Sequence, residues 1–188
     1  DRVIGEMRER FGANAAAIVY NDGAEDRFKG LVDIINEQYI QYKDKDGNEF
    51  DLLPLPAEFV EKTKNYRKEL IERLADADDE MAEIYLNGQD PTKDQLMKAI
   101  RRAVIACKFI PVLTGTAKMN RGVQFVLDAV VNFLPSPLDV TKMKGYNPDD
   151  KDEIIDIRAS ESLPPVALVF KIASDKYVGK IFFTRIYQ

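Results

Sequence analysis

The chain has 188 residues, 45% of them apolar and 31% charged, with a formal net charge of −5 and a pI near 5.0. That composition fits a globular chain with room for one or two cores, and its acidity argues against binding phosphate backbones along its whole length. With no histidine and a single cysteine, Cys107, it excludes Ser–His and Cys–His nucleophile pairs, histidine or multi-cysteine metal sites and any disulfide framework.

No apolar run approaches a membrane span and no signal-peptide pattern is visible, so a reducing cytoplasm is the expected setting. The first predicted element is a helix with Val3, Ile4, Met7 and Phe11 on one face, stopped by Gly12. Residues 15-AAAIVY-20 read as a strand. Three further runs, 28-FKGLVDII-35, 37-EQYIQY-42 and 49-EFDLLP-54, predict a small, mainly antiparallel sheet, the last two joined across the turn pair Asp46-Gly47.

Pro56 suits a helix start. Phe59, Thr63, Tyr66, Leu70 and Leu74 then recur every three or four residues and predict an amphipathic helix whose other faces are heavily charged. The acidic cluster 76-DADDE-80 precedes a short helix through Met81, Ile84 and Tyr85 that ends near Gly88; acids there complement the helix dipole. Thr92 with Gln95 forms a capping-box signature. The helix it opens carries Leu96, Ile100, Ala103, Val104 and Cys107 on its apolar side, which predicts an inert, packed thiol.

Phe109 to Leu113 predicts a short buried strand, and the polar loop 115-GTAKMNRG-122 leads from it into a helix. That helix is expected to bury Val123, Val126, Leu127, Val130, Val131 and Leu134, and Pro135 and Pro137 terminate it. A loop leaving the carboxyl end of a strand in an open α/β sheet is where ligands sit. Residues 141 to 164 read as a linker, and 165-PVALVFKIA-173 with 180-KIFFTRIY-187 as a β-hairpin. A lone hairpin is marginal in water, so the chain reads as a fragment of a longer protein. No Walker-type phosphate loop, GxGxxG, HExxH, GxSxG or EF-hand loop is present in the 188 residues.

The run 114-TGTAKMNRGVQFVLDAVVNFLPSPLDV-140 closely resembles the end of the GTP-binding domain of the elongation factor G family. That family has a Gly-Ser-Ala loop, an Asn-x-Gly-Val helix start and a Leu-Pro-Ser-Pro segment after the helix. The segments 28-FKGLVDII-35, 69-ELIERLADADDEMAEIYLNG-88 and 168-LVFKIASDKYVGKIFFTRIY-187 resemble their counterparts in the same order.

The resemblance implies an α/β fold. It would comprise the C-terminal part of a P-loop-type GTP-binding domain (1–13 and 103–140) with an inserted α+β subdomain (14–102). The linker (141–164) and the first hairpin of a β-barrel domain (165–188) would follow. It implies a guanine-reading loop at Gly115, Thr116, Ala117 and Lys118. The Ala117 backbone amide would donate to the guanine oxygen, where adenine would present a second donor and leave that amide unpaired. Thr116 stands where the family usually has serine and keeps the hydroxyl that braces the loop, and the Lys118 stem would lie on the base.

The family's phosphate loop, switches, Asp-x-x-Gly and Asn-Lys-x-Asp motifs would precede Asp1. GTP and Mg²⁺ therefore belong to the parent GTPase, with none expected on this segment and no catalytic residue within it. The insertion implies contact with the ribosome's stalk protein, with Glu69, Glu72, Asp76, Asp79, Glu80 and Glu83 as the candidate surface; no direct nucleic-acid site is expected. The alternatives are a paralogous ribosome-recycling or tetracycline-protection GTPase, and a protein-binding module without GTPase activity.

Overall fold

The computed structural model describes residues 2–139, 143–147, 149–150 and 152–188. It shows a mixed α/β protein with several sheets and, among the described residues, five α-helices. The chain divides into two compact units, one running through Leu134 and the other spanning Pro135–Gln188. The expected boundary between 140 and 141 lies outside the described residues.

The first unit opens with α1 (Arg2–Phe11), closed by Gly12 at φ 60°. The apolar run after it serves two sheets. β1 (Ala15–Ala17) pairs in parallel with β6 (Ile110–Val112), whereas β2 (Val19–Asp22) begins an antiparallel meander with β3 (Gly30–Asp33), β4 (Gln38–Tyr42) and β5 (Phe50–Pro54). Ile18 is the crossing point: its N–H donates to the Val112 carbonyl at 2.9 Å, and its own carbonyl accepts from Ile34 N–H at 3.0 Å. The single strand expected over 15–20 is therefore two, because both sides of the run find different partners.

Next come α2 (Ala57–Ala75), α3 (Asp79–Leu86) and α4 (Lys93–Ile105). The apolar stripe of α2 falls where its periodicity places it, with Thr63, Leu70 and Leu74 buried and Phe59 and Tyr66 half-buried. Tyr20 from β2 lies under this helix. Its ring stacks on Tyr66 with centroids 4.9 Å apart, and its hydroxyl is 2.9 Å from Thr63 Oγ1, so both buried hydroxyls are satisfied. The core continues through Leu31, Ile34, Ile40, Met81, Leu96 and Ile100. Each such side chain removed from water contributes about 1.5–3 kcal/mol.

Both α3 and α4 start as the sequence predicts. Asp78 caps α3 by accepting from Met81 N–H, and Thr92 and Gln95 form a complete capping box on α4. The end of α4 departs from expectation. Cys107 lies past the helix, exposed, with φ 56°. Cys107 N–H donates to the Val104 carbonyl and Lys108 N–H to the Ala103 carbonyl at 2.8 Å, a left-handed terminus usually occupied by glycine. The residue is exposed rather than packed, although it still lines an apolar groove with Val104 and Phe109.

The last helix, α5 (Val123–Phe133), brings a second correction. Its inward residues are Phe125, Ala129 and Phe133, spaced by four, while Val126, Leu127, Val130, Val131 and Leu134 are exposed. The helix is apolar nearly all round, so periodicity alone cannot say which stripe meets the core. The outer stripe borders an apolar groove of about 460 Å³ lined also by Val104, Phe109 and Ile110. β6 itself is only partly buried, with Phe109 just before it reaching the core.

In the second unit, part of the expected linker is a hairpin of β7 (Met143–Tyr146) and β8 (Ile154–Ile157). Thr141, Lys142, Pro148 and Lys151 of that stretch lie outside the described residues. The expected terminal hairpin is present as β9 (Ala167–Asp175) and β10 (Gly179–Ile186), with an irregularity between Phe183 and Thr184. Asp175 Oδ1 closes its turn by accepting from Tyr177 N–H at 2.8 Å and Val178 N–H at 3.0 Å.

Candidate functional site

The 114–122 loop leaves the carboxyl end of β6, one strand of the parallel pair, and returns into α5. Its shape is built from backbone bonds. Thr116 N–H donates to the Arg121 carbonyl at 2.8 Å, and Arg121 N–H donates back to the Thr116 carbonyl at 3.1 Å. Ala117–Met119 form one turn of 3-10 helix inside that bridge, and Asn120 then turns left-handed at φ 51°. Asparagine tolerates that conformation better than most residues.

The two glycines of the loop have separate reasons. A Cβ on Gly115 would stand 2.7 Å from the Arg121 carbonyl oxygen, too close for any side chain. Gly122 has φ 90°, and its Cβ would meet Gly115 Cα and the Thr114 carbonyl oxygen, each at 2.9 Å. The two ends of the loop thus touch backbone to backbone, which only glycine permits.

Of the four sequence-predicted loop residues, Gly115 and Thr116 form the neck, and Ala117 and Lys118 open the 3-10 turn. The Ala117 carbonyl accepts from Asn120 N–H, while no acceptor among the described residues takes the Ala117 N–H. The Thr116 side chain makes no cap bond to this turn. What the arrangement offers chemically is an amide donor on a tightly closed loop, the element needed to read a carbonyl oxygen on a planar base.

A second set of residues, invisible in the loop's own sequence, holds it from the side. Tyr42 accepts from Gly122 N–H at 2.6 Å, and the carbonyls of Gly47 and Asp44 accept from Gln124 and Arg121 at 2.7 and 3.1 Å. Burial pushes the Tyr42 hydroxyl up from its ordinary pKa, opposed by the Gly122 N–H and the Arg121 charge. The Asp46-Gly47 pair marks this region as a turn in the sequence, but nothing local indicates what the turn touches.

The six acidic residues do not form one free cluster. Glu69 pairs with Arg8 of α1 at 2.5 Å, and Glu80 with Arg102 of α4 at 2.8 Å, so these two face different helices. Glu72 accepts from Tyr85 Oη at 3.2 Å, which ties α2 to α3. Asp76, Asp79 and Glu83 make no ion pair among the described residues. Beside them Leu86 is 83% exposed. The acidic residue that sequence reasoning missed is Asp78, which is buried and bonded by Arg102 Nε and Nη2 at 2.6 and 2.7 Å. Its carboxyl is held below the usual range chiefly by Arg102, against the cost of burial and with help from Met81 N–H.

Among the described residues no group of three or more Cys, Asp or Glu side chains is placed to hold a metal ion. No helix among them is long and apolar enough to cross a membrane. No protein-family model matches the chain. In structure it is similar to a crystal structure of a protein from Thermus thermophilus, with a TM-score of 0.74 and 24% sequence identity. The match covers 99% of this chain and 25% of that one, so the chain spans about a quarter of that protein's length. At this identity the likeness shows a shared fold.

Proposed function

We propose that this chain is part of a ribosome-dependent translational GTPase of the elongation factor G type, which couples GTP hydrolysis to movement of tRNA and mRNA. In this reading α1, β6 and α5 are the C-terminal part of a P-loop-type GTP-binding domain, and residues 14–102 are its insertion. The observation that carries it is the loop at Gly115–Lys118: it leaves the carboxyl end of a parallel strand and presents the Ala117 N–H without an acceptor among the described residues. Guanine offers an oxygen to such a donor and adenine an amino group, so one amide supplies the discrimination. The apolar outer stripe of α5 supports the same reading, because a helix apolar on both sides is normally an interior helix of a larger domain.

The nucleotide phosphates and Mg²⁺ would be held by the parent's phosphate loop, not by this segment. The test is nucleotide binding by the full-length GTPase carrying Ala117→Pro, which deletes the one N–H the reading requires. GDP affinity is expected to fall about 10-fold, because a buried guanine oxygen left without its donor costs about 1–3 kcal/mol. Undiminished GDP affinity sinks the guanine reading, whereas tight GTP binding by the isolated 188-residue chain would overturn the assignment of the phosphates and Mg²⁺ to the rest of the parent.

A second reading is favoured by the surface of α2 and α3. Asp76, Asp79 and Glu83, which have no ion-pair partner among the described residues, combine with exposed Tyr85 and Leu86 to give acid and apolar area, the ingredients of a docking face for a basic amphipathic partner. In the translational reading that partner is the ribosomal stalk protein. As a module without GTPase activity the same face would serve another protein.

A further inference from the structure

The β4–β5 turn is remote from the 114–122 loop in sequence and lies against it in space. Five polar contacts join them, the longest from Asn120 Nδ2 to the Gly47 carbonyl at 3.5 Å. Gly122 N–H donates to Tyr42 Oη at 2.6 Å, Gln124 Nε2 to the Gly47 carbonyl at 2.7 Å, Arg121 to the Asp44 carbonyl at 3.1 Å, and Asn120 Nδ2 to Asn48 Oδ1 at 3.0 Å. The Arg121 guanidinium also stands 5.7 Å from the Phe28 ring centre and 5.5 Å from that of Tyr42, within range of a cation–π attraction. The approach is close enough that a Cβ on Gly47 would lie 2.4 Å from the Met119 carbonyl oxygen and 2.5 Å from that of Asn120.

The turn is itself closed by hydrogen bonds. The Asp44 carboxylate accepts from Asn48 N–H at 3.1 Å and Glu49 N–H at 3.2 Å, and Lys43 N–H closes onto the Glu49 carbonyl at 2.9 Å. Arg121 is the pivot between the two loops. Its backbone makes both bonds of the bridge to Thr116, while its side chain is committed to the turn. Gln124 then fixes the first turn of α5 to the Gly47 carbonyl. By contrast, the strand that delivers the loop is three residues long and, among the described residues, pairs only with β1.

We infer that the β4–β5 turn, with Tyr42 at its base, is a positioning clamp for the 114–122 loop, so that the antiparallel layer sets the conformation in which Ala117 and Lys118 are presented. Tyr42, Gly47 and Arg121 are positioning residues, acting on the ligand through the loop. The consequence for guanine binding rests on the functional reading above. The clamp itself does not.

The test is amide hydrogen exchange on the whole 188-residue chain in two variants. Tyr42→Phe removes the acceptor of the Gly122 N–H and little else, whereas Gly47→Ala forces the turn off the loop. Tyr42→Phe is expected to speed exchange at Gly122, Arg121 and Thr116 about 5-fold, the equivalent of one net hydrogen bond. Gly47→Ala is expected to speed it about 10-fold or more across 116–122, because several bonds are lost together. Exchange in β3 and at Leu96–Ala103 of α4 should stay unchanged in Tyr42→Phe. Loop exchange at the wild-type rate in both variants overturns the inference, and so does an equal rise throughout the chain in both. The guanine reading is checked separately in the full-length GTPase carrying Gly47→Ala, where the preference for GDP over ADP should narrow. Faster loop exchange with an undiminished preference upholds the clamp and removes the guanine reading.

Discussion

The Asp78 side chain joins α3 to α4, and its removal has a magnitude that can be built from its contacts. It is 9% exposed, caps α3 through Met81 N–H at 3.0 Å and receives two bonds from Arg102 of α4. Losing an N-cap costs about 1 kcal/mol. Hydrogen bonds to a charged group contribute about 1.5–3 kcal/mol when dry. Here the Arg102 side chain is 44% exposed and keeps Glu80, so screening brings that contribution down to about 1–2 kcal/mol.

Asp78→Ala should therefore destabilise by about 2–3 kcal/mol and Asp78→Asn by about 1–2 kcal/mol, since the amide oxygen still caps the helix. Urea unfolding followed by far-ultraviolet circular dichroism reads this directly, because all five described helices lie in the first unit. The same pair predicts a pH dependence. The carboxyl is depressed in the folded state, so its stabilisation is complete above its unfolded value of about 3.9 and is lost as pH falls through the lower folded value. The gap between wild type and Asp78→Asn should be constant from about pH 5 to 8 and close below about pH 4. An Asn variant as unstable as Ala would refute the cap. A gap that persists undiminished at about pH 2.5 would refute the role of the charge.

Three further outcomes are expected. Cys107→Gly should raise stability by about 0.5–1 kcal/mol, relieving a left-handed residue whose exposed side chain packs little, and a lowered melting temperature would show that the thiol contributes packing. Thr63→Val should cost about 1–3 kcal/mol by orphaning the buried Tyr20 hydroxyl, and adding Tyr20→Phe should recover most of it; additive losses in the double-mutant cycle would mean the two hydroxyls are not coupled. In an NMR titration with the stalk protein's C-terminal domain, Asp79→Lys with Glu83→Lys should abolish salt-sensitive shifts on α3, whereas Glu69→Lys should act mainly on stability through Arg8; shifts indifferent to the Asp79 and Glu83 reversals would count against the docking face.

Several elements are legible in the sequence because their signals are local. The α2 stripe, the Thr92–Gln95 capping box, the Asp-Gly turn and the β9–β10 hairpin each depend on residues within a few positions of one another, and all are present. The buried stripe of α5 is not legible, because valine, leucine and phenylalanine occupy most of its circumference and the choice between stripes belongs to what α4 and Phe50 of β5 present. Cys107 escapes for a related reason: periodicity extends a helix until something stops it, and here the left-handed terminus lies on a residue carrying no glycine signal. The run at 15–20 divides because Val112 and Ile34, distant in the chain, claim either side of Ile18.

The candidate loop shows the same division. Its position between strand and helix, its bracketing glycines and the resemblance that singles out Gly115–Lys118 are properties of the sequence, because turn geometry is written in residues that tolerate it. Which acids are free, and what holds the loop, are not. Glu69 and Glu80 are neutralised by Arg8 and Arg102, and Arg121 is seized by a turn 77 residues away. Local chemistry determines where this chain turns, caps and buries a stripe; only folding decides which distant groups meet, because ion pairs and loop contacts depend on separation in space, and separation along the chain carries almost no information about it.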